Sequence, residues 1–144
     1  MINFENLSIR ERERLLKFPA YISLLAANTD GDFDETEKRS TIEFEHVKTY
    51  SCDPLLVDFF KEADRNFVST IEELDKALPL GKVNRDDAIK NELVELEKIA
   101  LKLGADYSVV MHQSMKSFMD HVSRAHHNVL VDFIFPIPIK GLSY

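Results

Sequence analysis

The 144-residue sequence predicts an all-α, single-domain multi-helix bundle, and three observations carry that expectation. Apolar residues recur at three- and four-residue spacing along most of the chain, the period of a helix with one buried face. No run alternates apolar and polar residues over the length of a strand. Only four glycines and five prolines punctuate the sequence, which suits long helices and short loops. One domain is expected over residues 1–144, with its core at about 8–128 and an apolar tail at about 129–144.

The elements follow in order. Ser8 and Glu11 form a capping box at the head of a polar first helix that runs through Arg14. Pro19 then either kinks that helix or opens a second one at its first position. Tyr21, Ile22, Leu24, Leu25 and Ala26 follow as a buried segment, and after an acidic corner Ile42, Val47 and Tyr50 make a partial stripe. Asp53-Pro54 is a strong start signal, an N-cap followed by proline at the first helical position. Leu55, Leu56, Phe59, Phe60, Ala63 and Phe67 then keep helical spacing, continued by Ile71, Leu74 and Leu78, with a break near Asp64-Arg65-Asn66 left open.

Asn84 or Asp86 is expected to open the next helix, whose Leu93, Leu96, Ile99, Ala100 and Leu103 point one way before Gly104 ends it. The last helix starts near Asp106 or Ser108. It carries Met111, Met115, Phe118, Met119, Val122 and Val129, with spacing that extends to Phe133.

The densest local signal is Asp30-Gly31-Asp32-Phe33-Asp34-Glu35-Thr36-Glu37, five carboxylates in eight residues between two helical segments. It is not an EF-hand, which needs a glycine at its sixth position and a bidentate glutamate at its twelfth. Counted from Asn28 those places hold Phe33 and Arg39; counted from Asp30 they hold Glu35 and Thr41. A helix-loop-helix corner explains much of it. Gly31 can end the preceding helix, Asp34 can cap the next with Glu37 completing a capping box, and Phe33 would turn inward. That account leaves Asp30 and Asp32 without a role. Two readings stand: a corner of solvated acids, or a corner that holds a cation through Asp30, Asp32, Asp34 and Glu37. Carboxylate oxygens suit Ca²⁺, Mg²⁺ or Mn²⁺ rather than soft metals.

Leu24-Leu25-Ala26-Ala27-Asn28-Thr29-Asp30-Gly31-Asp32-Phe33-Asp34-Glu35-Thr36-Glu37 resembles the TerB-like family of tellurite-resistance proteins. In that family an Ala-rich helix end meets Asp-Gly-x-apolar-x-x-x-Glu at the start of another helix. The resemblance extends over about Leu15 to Leu103. It implies an all-helical fold built as an internal duplication, acidic corners suspected as cation sites, and a link to tellurite or other stress resistance. Asp30, Gly31 and Glu37 are the residues that carry over.

A second, degenerate corner stands at Leu80-Gly81-Lys82-Val83-Asn84-Arg85-Asp86-Asp87. Gly81, Val83 and Asp87 match Gly31, Phe33 and Glu37 at a constant offset. Leu80, however, replaces the aspartate, and Lys82 and Arg85 bring positive charge where a cation would sit.

Composition excludes several classes. A net charge of −7 argues against nucleic acid as partner, because phosphate binding needs clustered Lys and Arg. One cysteine, Cys52, cannot make an internal disulfide, so a cytoplasmic setting is expected. Asn3, Glu5 and Arg10 interrupt any apolar run near the start, so no signal or spanning segment is read there.

Glu43 and His46 form a Glu-x-x-His pair, but a di-iron bundle needs two such pairs. His121, His126 and His127 have poor spacing for one ion. No nucleophile elbow, phosphate loop or dinucleotide fingerprint accompanies the Ser, His and acidic residues, so no catalytic residue is assigned.

The tail from Val129 to Ile139 has one charge, Asp132, and Phe135-Pro136-Ile137-Pro138-Ile139 cannot stay helical. It would strap over the bundle or dock on a protein partner or a second copy, with a membrane surface the less favoured target. The sequence thus predicts a non-enzymatic binding or adaptor module with a hard-cation corner. The alternatives are an interaction protein working through its tail, and a metal-dependent hydrolase with His46 or His112 as base.

Overall fold

The computed structural model describes residues 7–29 and 50–125, and every regular element among these residues is a helix. Helix α1 spans Ile9–Leu15 and α2 spans Phe18–Thr29. A 3-10 turn, η1, at Pro54–Leu56 leads into α3, Val57–Arg65, and then α4, Phe67–Ala77. Helix α5, Lys82–Ala100, passes through a second 3-10 turn, η2, at Leu101–Leu103, into α6, Ala105–Ala125. The acidic corner with Asp30, Asp32, Asp34 and Glu37, the residues Glu43 and His46, and the tail from Val129 all lie outside the described residues.

Helix α2 is the axis of the bundle because it has no polar face to give to water. Phe18, Ala20, Ile22, Leu24, Leu25, Ala26 and Ala27 are all buried, and so are Ser23 and Asn28. A helix apolar all round has to be surrounded. Helices α4, α5 and α6 each pack on α2, α5 and α6 pack on each other, and α1 lies along α5. Ser23 satisfies its hydroxyl inside the helix by donating to the Pro19 carbonyl at 2.9 Å. Phe18 anchors one end of the core. Its ring stacks on Phe59 at 5.6 Å and meets Phe60 and Phe118 edge-on at 5.8 and 6.0 Å. Offset and edge contacts of this kind are the favoured aromatic geometries, and each adds about 1 kcal/mol beyond area burial.

Local chemistry sets the element boundaries. Ser8 accepts from the Glu11 amide and Glu11 accepts from the Ser8 amide, so the capping box forms as expected. Pro19 stands in the first turn of α2, at its second position rather than its first, and does not kink one long helix, since α1 stops at Leu15 and α2 begins at Phe18. Asp53 caps η1 by accepting from the Leu55 amide at 2.9 Å. The chain does break at Asn66, where the backbone turns between α3 and α4. Gly104 has φ of +96°, a conformation that any residue with a Cβ adopts only under strain, and it ends η2.

Two boundaries differ from the sequence expectation. Helix α5 begins at Lys82, ahead of Asn84 and Asp86, because Gly81 serves as N-cap with its carbonyl accepting from the Arg85 amide at 2.7 Å. Gly81 itself has φ of −67°, so no left-handed turn is required there. Helix α6 begins at Ala105 rather than Asp106 or Ser108, since Gly104 has already reversed the chain. The stripe of Met111, Met115, Phe118, Met119 and Val122 is buried as its spacing predicts, whereas Leu55 is 40% exposed. No helix among the described residues is long and apolar enough to cross a membrane.

Candidate functional site

Three polar centres lie along α5, one near its head, one on its outer face and one inside the bundle.

The first joins the head of α5 to the end of α2. Asn28 is buried, and its side-chain amide donates to the Lys82 carbonyl at 2.9 Å. The residue two places before Asp30 is thus tied to the first residue of α5. Beside this seam, Arg85 is buried and gathers oxygens from the preceding loop. Its Nη1 reaches Asp75 Oδ1 at 2.8 Å, its Nη2 the Asp75 carbonyl at 2.6 Å, and its Nε the Pro79 carbonyl at 3.0 Å. A guanidinium presents donors in a fixed planar fork, which is why it can close a loop in this way. Leu80 and Val83 stand beside the clamp and are 71% and 72% exposed.

The second centre is a polar groove of about 320 Å³ lined by Arg10, Glu13, Arg14, Lys17, Tyr21 and Glu92. Arg14 donates from Nε and Nη2 to a single Glu92 oxygen, at 3.1 and 2.7 Å. That bond to Glu92 raises the Arg14 pKa. Lys17 lies 3.5 Å from Glu73. Burial, and secondarily the Glu92 charge, push the Tyr21 phenol up to about 12. Below this groove Glu11 contacts Lys102 of η2; that hydrogen bond, with the Ser8 amide second, holds the Glu11 carboxyl below its ordinary range.

In the third centre sequence reasoning named His112, as the base of a hydrolase, but missed Glu97 and the contact between them. Glu97 of α5 and His112 of α6 are enclosed, with side-chain exposures of 0% and 1%, and Glu97 Oε1 lies 2.5 Å from His112 Nδ1. Burial, and then the positive charge of Lys116, make His112 harder to protonate than an ordinary histidine. Glu97 sits beside Leu96 in a stripe otherwise read as apolar, and the residues are joined across two helices rather than along one. A local spacing rule has no signal for such a pair.

Two other sequence candidates can be placed. Cys52 is half-buried; burial, followed by the neighbouring Asp53, pushes its thiol up, which is the opposite of a reactive thiolate. His121 lies 5.6 Å from the Tyr50 ring and 6.0 Å from Phe118, centroid to centroid, on the edge of the aromatic core. Among the described residues no group of three or more His, Cys, Asp or Glu is placed to hold a metal ion.

No family model matches the chain, no curated protein matches it, and no solved structure matches it.

Proposed function

We propose that the chain is a non-enzymatic TerB-like binding or adaptor protein whose corner residues Asp30, Asp32, Asp34 and Glu37 take a divalent cation, Ca²⁺, Mg²⁺ or Mn²⁺. Its place would be cytoplasmic, in resistance to tellurite or another stress. The observation that carries this reading is Arg85. Three oxygen atoms of Asp75 and Pro79, just ahead of the second corner, converge on its guanidinium, so a positive charge of the chain's own ties that corner to the helix before it. The register that pairs Gly31 with Gly81 puts Glu35 opposite Arg85, and no Lys or Arg stands between Asp30 and Glu37. A metal ion would supply to the first corner what Arg85 supplies to the second. The bond from Asn28 to Lys82 supports the same reading, because the acidic stretch leaves from a fixed point beside the second corner. Titration calorimetry is the test. Saturable heat with at least one of the three ions, abolished in a D30N/D32N variant, is expected; no heat with any of them retires the cation.

A second reading has one observation in its favour. Leu80 and Val83 are exposed apolar side chains beside the Arg85 clamp at the head of α5. They would suit an interaction protein that self-associates or docks with the help of its apolar C-terminal tail. Sedimentation of the full chain against one truncated before Val129 separates the two, since only this reading predicts loss of assembly. In the hydrolase alternative the base would fall to His46, because His112 is enclosed against Glu97.

A further inference from the structure

The groove on the outer face of α5 has no part in the cation reading, and it is lined by charges of both signs. Arg10, Glu13, Arg14 and Lys17 follow one another at three- and four-residue spacing, so they share one face of α1 and of the turn that continues it. Tyr21 of α2 and Glu92 of α5 complete the lining.

Much of this chemistry is left over once the contacts within the chain are made. Arg14 donates from Nε and Nη2 to the same Glu92 oxygen, Oε1, which leaves Arg14 Nη1 and Glu92 Oε2 to spare. Among the described residues the side chains of Arg10 and Glu13 meet no ion-pair or hydrogen-bond partner, and the Tyr21 hydroxyl meets none either. Lys17 pairs only loosely, at 3.5 Å, with an exposed Glu73. Tyr21 is half-buried, so the packing of α2 fixes where its hydroxyl is presented.

The balance of charge decides what fits. Arg10, Arg14 and Lys17 face Glu13, Glu92 and Glu73, so the two signs cancel while single atoms of each sign stay unsatisfied. A phosphate dianion would lie beside carboxylates that repel it. A simple carboxylate leaves Glu13 and the spare Glu92 oxygen without a cation, and a simple amine leaves the guanidinium groups without an anion. A molecule that carries a carboxylate and an ammonium on one carbon answers both signs at once and brings no net charge. The volume of about 320 Å³ lies near the lower end of the range for small-molecule pockets, about 300–1,000 Å³, which limits the occupant to a small molecule.

We propose that this groove binds a free α-amino acid, with its carboxylate on Arg10, Arg14 Nη1 and the Tyr21 hydroxyl and its ammonium on Glu13 and Glu92 Oε2. The Arg14–Glu92 bond sets the spacing between the two halves of the site, because it holds one donor and one acceptor side by side. The groove is open to water, so the binding is weak and falls as salt is added.

Amide-detected NMR titration of the full chain with glycine, in the absence of divalent ions, is the test. Acetate, methylammonium and inorganic phosphate are titrated in parallel. Saturable shifts with glycine centred on Arg14, Lys17, Tyr21 and Glu92 are expected, with glycine bound more tightly than any of the other three. Arg10 and Glu13 are exposed, so R10A and E13Q keep the fold, and each is expected to weaken glycine by about two- to fivefold. Absence of saturable shifts with glycine overturns the proposal, as does glycine binding that both variants leave unchanged. Phosphate or acetate bound as tightly as glycine marks a plain anion patch, and that overturns it too.

Discussion

Helix α5 carries two carboxylates that each find a basic partner on another helix, and they could hardly differ more. Glu92 meets Arg14 at 2.7 Å on the outer face, with side-chain exposures of 24% and 37%. Glu97 meets His112 at 2.5 Å inside the bundle, with both side chains shut away from water. The separations are nearly equal, so separation cannot be what distinguishes them. Environment does. Around Glu92 water screens the charges and competes for their hydrogen bonds, and an exposed ion pair contributes about 0–1 kcal/mol. Around Glu97 no solvent can replace a lost partner, so the same kind of contact becomes obligatory without being strongly stabilising overall.

That contrast can be broken at several points. Truncating Glu97 to Ala leaves an enclosed imidazole facing a cavity, and chemical denaturation should report a loss of about 3–5 kcal/mol. Replacing both members together, as E97M/H112L, should recover most of that loss, since an apolar pair of similar volume leaves no polar group enclosed. If the double replacement is as damaging as the single one, the loss does not come from the imidazole left behind. The Arg85→Ala variant comes next. It removes three hydrogen bonds from the loop ahead of α5, but Asp75 is partly reachable by water, so a loss of about 2 kcal/mol is expected in the same assay. Arg14→Ala should cost about 1 kcal/mol or less, and that cost should shrink further as salt is added.

At neutral pH the smallest effect concerns Tyr21, because it appears only at high pH. Its phenol is held protonated to about 12, whereas an unfolded tyrosine ionises near pH 10. The folded state therefore keeps a proton that the unfolded chain has lost, and stability drains away as pH rises from about 10 toward 12. Ultraviolet titration of the phenolate should show the late ionisation directly, and a Y21F variant should remove that share of the alkaline loss.

Much of this architecture could be read from the chain before any coordinates. The Ser8 and Glu11 box, the Asp53-Pro54 start, the glycine stop at 104 and the methionine stripe of α6 all rest on contacts within a few residues of one another. Local chemistry is what spacing rules encode. The start of α5 at Lys82 escaped them because a glycine N-cap offers no side chain to recognise. Arg85 reads from the sequence as a positive charge at the second corner, but its burial and its acceptors, six and ten residues back, escaped those rules. Glu97 and His112 sit fifteen residues apart on facing helices, a distance at which sequence carries no pattern. The acidic corner was the plainest signal of all, yet Asp30, Asp32, Asp34 and Glu37 lie beyond the described residues. What the fold contributes there is the seam from which the corner departs.

Manganese offers the most direct test of that functional claim, because its unpaired electrons broaden the signals of nearby backbone amides. With Mn²⁺ added at low occupancy, broadening is expected to centre on Asn28, Gly81, Lys82 and Val83 and to vanish in a D30N/D32N/D34N/E37Q variant. Uniform broadening, or broadening centred on the groove at Glu13 and Glu92, would contradict a cation held at the acidic corner.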